Sequence, residues 1–228
     1  GALTDFRPLL ARPITFLLGA AAQIGVFVAA LGANSLLGFT PGEAASIGII
    51  GGADGPTTIY LASALAPHLL GPVAVAAYSY MSLVPIIQPP ILRLLTTKAE
   101  RAIEMPQAKP VSPAAVVVFP VVTAVVTALA VPSCGPLIGM LMFGNLLRES
   151  GVTERLSRAA GGSIIDIATT FLGVTIGATM EGPAFLQPRT LYILVLGAVA
   201  FAFSTAGGIL LAKALNLVLP RSQRLNPC

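Results

Sequence analysis

Long apolar blocks separated by short polar joints set the rhythm of this chain. A helix needs about 20 apolar residues to cross the hydrocarbon core of a bilayer. Blocks of that order run from about 14 to 37, 44 to 66, 72 to 92, 114 to 131, 162 to 180 and 190 to 212. A shorter apolar piece covers 135 to 147. The pattern predicts an all-α, polytopic membrane protein. The block from 44 to 66 differs from the rest: glycines and a proline interrupt it around a lone carboxylate, in the run from Ser46 to Tyr60 that holds Gly51, Gly52, Ala53, Asp54, Gly55 and Pro56. Broken helix at membrane depth is tolerated where it lines a cavity or is packed in protein. This segment is therefore expected to be a discontinuous, re-entrant helix hairpin.

The polar joints carry the topology. Cytoplasmic loops are enriched in Lys and Arg. Arg7 and Arg12 place the start of the first block inside, and the joint from 38 to 43 has no cation and faces out. A full crossing by the Asp54 block would put the joint carrying Arg93, Lys98, Arg101 and Lys109 outside. A hairpin that enters and leaves by the outer face puts it inside. The joint from Arg148 to Arg158 and the tail with Lys213, Arg221 and Arg224 then also fall inside, provided that the short apolar piece crosses. Glu181 and Arg189 fall in the outer headgroup zone.

Composition agrees: 55% of residues are hydrophobic and 10% charged, against about 25% charged in soluble domains. Frequent Gly and Pro fit polytopic helices rather than a β-barrel. The pI of about 9.4 reflects cations in loops, not a nucleic-acid surface. Cys134 and Cys228 lack pairing or metal spacing. The chain, 1–228, is expected to be a single transmembrane domain, cut at both ends from a longer protein.

Asp54 is the leading candidate for chemistry. A carboxylate within the membrane is costly and usually functional. With backbone carbonyls from unwound helix and the hydroxyls of Thr57 and Thr58, it makes a hard oxygen site suited to Na⁺ or, protonated, to a proton relay. The competing explanation is a capping Asp at a Gly-Pro turn. Tyr78 and Ser82 share a helix face and, with Tyr80, are phenol and hydroxyl candidates; an aromatic belt is the alternative. Gln88 reads as a polar contact between helices. Asp166, with Thr169 and Thr170, can form a polar face or pair with Arg158. Asn145 and Arg148 read as structural, and His68 as a loop residue without partners. No HExxH, GxSxG or CxxC motif is present, and the glycines around Asp54 lack the spacing of a nucleotide loop.

Three stretches point further: Gly48 to Thr57, Ala77 to Pro90, and Gly135 to Ser157. Together they resemble the beta subunit of biotin-dependent, sodium-pumping decarboxylases of oxaloacetate, methylmalonyl-CoA or glutaconyl-CoA. The resemblance covers the whole chain in matching order. It implies a multi-pass subunit of a bacterial or archaeal cytoplasmic (inner) membrane that receives carboxybiotin, releases CO₂, consumes a proton and exports Na⁺. It further implies an alpha subunit with carboxyltransferase and biotin carrier, a small gamma and sometimes a delta subunit, and homo-oligomeric assembly. The key carboxylate maps onto Asp54 and the implicated tyrosine onto Tyr80, with Tyr78 second. Asp54, Thr57 and Asn226 are the expected Na⁺ ligands; Asn226-Pro227 matches the start of a second broken helix. The resemblance breaks off at Cys228, where an apolar residue is expected. The other readings are a secondary Na⁺/carboxylate or Na⁺/H⁺ transporter and a structural scaffold.

Overall fold

The structure, a computed structural model, describes residues 1–105, 110–178, 180, 182, 187–220 and 224–227. Among them it is helical, with no strand. In chain order the helices are α1 (Arg7–Ala11), α2 (Thr15–Ala22), α3 (Ile24–Leu37), α4 (Pro41–Gly48), α5 (Gly55–Leu65), α6 (Leu70–Leu95), α7 (Lys98–Arg101), α8 (Pro113–Ala130), α9 (Gly135–Glu149), α10 (Glu154–Gly161), α11 (Ser163–Ala178) and α12 (Pro188–Val218). Five of the described helical stretches are long and apolar enough to cross a membrane: Thr15–Leu37, Pro67–Leu95, Pro113–Ala130, Glu154–Ala178 and Pro188–Val218. The α4–α5 segment is not one of them, as its broken pattern predicts. Glu181 and Cys228 lie outside the described residues.

Two compact units make up the chain: Gly1–Pro13 with Gln107–Thr175, and Ile14–Pro106 with Ile176–Cys228. In the first, α8 and α9 pack along each other as a pair joined by the tight turn Pro132–Cys134. The amino-terminal segment is tied to them. The buried Asn145 amide donates to the Thr4 carbonyl at 2.9 Å, Arg7 pairs with Glu149 at 2.7 Å, and the Phe6 and Phe119 rings lie 5.3 Å apart. Arg148 reaches Glu149 and Asp5. Asn145 and Arg148 are thus structural, as their positions suggest.

The second unit holds the hairpin. The antiparallel run of α3 and α12 is visible in their pairings: Gly25 at the start of α3 lies against Ala200 and Ser204, while Phe39 beyond its end lies under the Arg189 guanidinium. Helix α6 runs parallel to α12. His68 and Arg189 meet Glu43 at one end, and the Lys213 ammonium donates to the Leu95 carbonyl at 2.9 Å at the other. Small residues let these helices approach closely. Gly197, Ala200, Ser204 and Gly207 form a buried stripe on α12, the type of seam that packs helices in a membrane, where lipid removes the hydrophobic drive to associate.

Helix α6 continues through Pro85, Pro89 and Pro90 to Leu95, beyond the end near 92 expected from the apolar block. Prolines are tolerated inside membrane helices because neighbours can satisfy the backbone groups they free.

Candidate functional site

The hairpin begins with a capping box. Thr40 caps α4, its hydroxyl accepting from the Glu43 N–H, and Glu43 Oε2 accepts in return from the Thr40 N–H at 2.8 Å. Helix α4 stops after two turns in a tighter 3-10 turn, Ile49–Gly52, followed by Ala53 in the left-handed region at φ 56°. That conformation disfavours any residue with a Cβ by roughly 1 kcal/mol. Helix α5 then starts afresh. Asp54 is its cap: Oδ1 accepts from the Thr57 N–H at 3.4 Å, the Thr57 hydroxyl donates to Oδ2, and the Thr58 hydroxyl donates to the Asp54 carbonyl. Pro56 has no N–H to offer the Gly52 carbonyl one turn back. The break is therefore written in the local sequence.

The two arms return to the same end. A Cβ on Gly42, at the start of α4, would sit 3.0 Å from the Leu65 carbonyl at the end of α5. His68, just past α5, lies 2.9 Å from Glu43. The tip packs against the middle of α12: the buried Ser204 hydroxyl donates to the Gly51 carbonyl at 2.9 Å. Ser204 is about 22 Å along the axis from Arg189 and about 14 Å from Lys213. The segment is thus a helix–break–helix hairpin whose tip, with Asp54, reaches mid-depth between the two ends of the unit.

At the tip, Asp54 lies on the surface of this chain. Its polar neighbours are Thr57 and Tyr78. The Tyr78 phenol packs against Gly55, where a Cβ would come within 3.0 Å of the hydroxyl, and lies within electrostatic reach of Asp54. Tyr80 engages α12 instead. Its hydroxyl donates to the Leu194 carbonyl, its ring lies 5.8 Å from that of Phe201, and it fills the space beside Gly197. The Ser82 hydroxyl bonds back to the Tyr78 carbonyl. Asp166 lies exposed on α11 of the other unit, its carbonyl accepting from the Thr170 hydroxyl, while Arg158 pairs with Glu154.

Behind the tip lies a cavity of about 470 Å³. Gly51, Gly52 and Ala53 form one wall, with Gln88 of α6, Ser204 and Thr205 of α12, and Asn226 and Pro227 contributing to the others. The Asn226 amide donates to the carbonyls of Arg101 and Ile103 at 3.1 Å each. Asn226 therefore shares this cavity with the backbone of the tip, whereas the Asp54 side chain does not line it. Ser204 and Thr205 escape a reading of charges and motifs; the small-residue spacing on α12 is the signal that could have found Ser204. Gln88, read as a helix contact, lines the cavity.

The other carboxylate of the hairpin, Glu43, is buried. His68 at 2.9 Å and Arg189 at 3.5 Å flank Oε1. His68 is thus not partnerless: the hairpin folds back and delivers Glu43 to it, a proximity between residues 25 positions apart that loop placement cannot reveal. The hydrogen bond with His68 leads the causes that hold the Glu43 carboxyl down at about 2, followed by the Thr40 N–H, against the opposing effect of burial. Among the described residues, no group of three or more His, Cys, Asp or Glu is placed to hold a metal, and Asp54 makes no ion pair.

The profile of the family described as "Na⁺-transporting oxaloacetate decarboxylase beta subunit" matches residues 1–228. The chain belongs to this family. Within it, the chain is 56% identical over 232 residues to oxaloacetate decarboxylase beta chain 2 of Salmonella typhi, covering 100% of this chain and 53% of that protein. It is 58% identical to methylmalonyl-CoA decarboxylase subunit beta of Veillonella parvula, over 96% of this chain and 58% of that protein. With the corresponding subunit of Propionigenium modestum it shares 57% identity, over 95% and 55%. The chain thus spans about half the length of the curated relatives it matches. Family membership and the apolar helices make it a multi-pass helical membrane protein.

Proposed function

We propose that the chain is the hairpin-bearing part of a sodium-pumping decarboxylase beta subunit, coupling loss of CO₂ from carboxybiotin to Na⁺ export and proton uptake. The observation that carries this reading is the position of Asp54. It caps a broken helix at mid-depth, beside neutral hydroxyls and without a basic partner among the described residues. An ionised carboxylate facing acyl chains costs several kcal/mol, so its open face meets water or polar protein. Such a group suits a travelling cation.

The chemistry balances around that carboxylate. Cleavage of the N–CO₂⁻ bond of carboxybiotin releases CO₂ and leaves the ureido nitrogen to take one proton. Asp54 can hold Na⁺ when ionised and yields it when protonated, so the two events share one group. Thr57 and Tyr78 supply oxygen ligands or a proton path at the tip. Tyr80 holds α6 against α12, and Asn226 belongs to the cavity behind the tip. Na⁺ here is cargo. Carboxybiotin arrives on the biotin carrier of an alpha subunit, with a small gamma subunit, in some complexes a delta subunit, and homo-oligomerisation completing the assembly. The end with Lys98, Arg101 and Lys213 is cytoplasmic by charge, in a bacterial or archaeal inner membrane, and the Glu43 end faces out.

The deciding experiment uses the complete complex in vesicles. Asp54→Asn is expected to abolish Na⁺-dependent decarboxylation and Na⁺ uptake together while the subunits still co-purify with the biotinylated protein. Retained Na⁺ uptake would remove Asp54 from the mechanism.

A further inference from the structure

The break in the hairpin leaves carbonyl oxygens without helical donors, and in an apolar setting each such group needs a partner. At Gly51 that partner comes from elsewhere in the chain. The Ser204 hydroxyl, on a residue only 8% exposed, donates to the Gly51 carbonyl at 2.9 Å across 153 positions of sequence. The surroundings leave little room for another arrangement. A Cβ on Gly51 would sit 2.8 Å from the Ala200 Cβ, and one on Gly25 would sit 2.1 Å from Ser204 Oγ. The Gly51 peptide is thus clamped between α3 and α12, and it lies three residues before Asp54.

We propose that Ser204 is a positioning residue for the ion site, and this rests on the function proposed above. Its hydroxyl fixes the Gly51–Gly52 peptide, which in turn sets the left-handed Ala53 and the direction from which Asp54 caps α5. Cation affinity depends on oxygens held in place before the ion arrives. Without the pin, the tip samples several geometries and Na⁺ must order it on binding. The expected signature is therefore weaker Na⁺ affinity with a largely intact maximal rate. A residue needed only for folding would instead lower the amount of assembled complex.

The test compares Ser204→Ala and Ser204→Thr in the complete complex, with Ser46→Ala as a control. Ser46 is also buried, but its hydroxyl bonds within α4 to the Gly42 carbonyl at 2.9 Å. Ser204→Ala is expected to raise the half-saturating Na⁺ concentration for decarboxylation about fivefold, the worth of one hydrogen bond, with the maximal rate within about twofold. It should also speed amide exchange across residues 49–55. Ser204→Thr keeps the hydroxyl and should restore both readouts, and Ser46→Ala should leave both unchanged. Unchanged exchange at 49–55 in Ser204→Ala overturns the pin whatever the activity does. Faster exchange with unchanged Na⁺ half-saturation in a Na⁺-stimulated complex overturns its link to the ion. A parent complex that Na⁺ does not stimulate sinks the proposed function instead, and leaves the exchange result to judge the pin.

Discussion

Two carboxylates sit on one hairpin and are treated in opposite ways. Glu43, at the mouth, is buried, bonded to Thr40 and flanked by His68 and Arg189. Asp54, at the tip, is exposed on this chain; among the described residues its carboxylate accepts from Thr57, and the Tyr78 phenol packs on the neighbouring Gly55. Both help begin a helix, so capping does not distinguish them. Neutralisation does. A structural charge inside a protein persists because it is paired, and the mouth shows that pairing in full. The tip shows none among the described residues, and a carboxylate at mid-depth without a basic side chain beside it is one that a mobile cation or proton can visit.

This contrast is open to attack, most sharply at its ends. Asp54→Asn should cost essentially all Na⁺-coupled activity while leaving the melting temperature close to the parent. Glu43→Gln should do the reverse. It is expected to lower stability by about 2 kcal/mol, less than a fully buried pair because His68 and Arg189 are largely exposed, while the half-saturating Na⁺ concentration stays unchanged. Activity loss in Glu43→Gln at full stability would erase the distinction between the two sites.

The tyrosines refine it. Tyr80→Phe removes the bond to Leu194 that ties α6 to α12, and should lower the maximal rate about tenfold through a misplaced helix. Tyr78→Phe removes a phenol beside Asp54, and should shift Na⁺ half-saturation about threefold with a smaller effect on rate. Titrations of decarboxylation against Na⁺ would separate the two, and identical profiles would contradict the division of roles.

The smallest effect concerns acid. The folded Glu43 carboxyl lies at about 2 against an ordinary value of 4.5. Its contribution is therefore complete above about pH 4.5 and is lost as pH falls toward about 2. Thermal melts over that window should show a steeper acid loss in the parent than in Glu43→Gln.

Much of the fold was legible beforehand because it is local. The apolar blocks set most of the helices, and Gly52 and Pro56 break one of them by their own backbone chemistry. Asp54 was legible for the same reason: a carboxylate in an apolar run is conspicuous without any partner being known. Three things were not. His68 looked solitary because Glu43 reaches it only when the hairpin closes. Ser204 looked like one small residue among many, and its role appears only when α12 lies against the tip. Tyr78 and Tyr80 are alike in sequence, and the packing of α6 turns one to Asp54 and the other to Leu194.

The sequence by itself determined that this chain lies in a membrane, which of its apolar blocks is broken into a re-entrant hairpin, and which carboxylate stands at the break, since hydrophobic burial, backbone propensity and loop charge act over neighbouring residues. Tertiary structure alone decided that Glu43 meets His68 and Arg189 while no basic side chain among the described residues meets Asp54, and that the Ser204 hydroxyl bonds to the tip. Those outcomes depend on hydrogen bonds and ion pairs between groups far apart in the chain, which exist only once helices have chosen their neighbours.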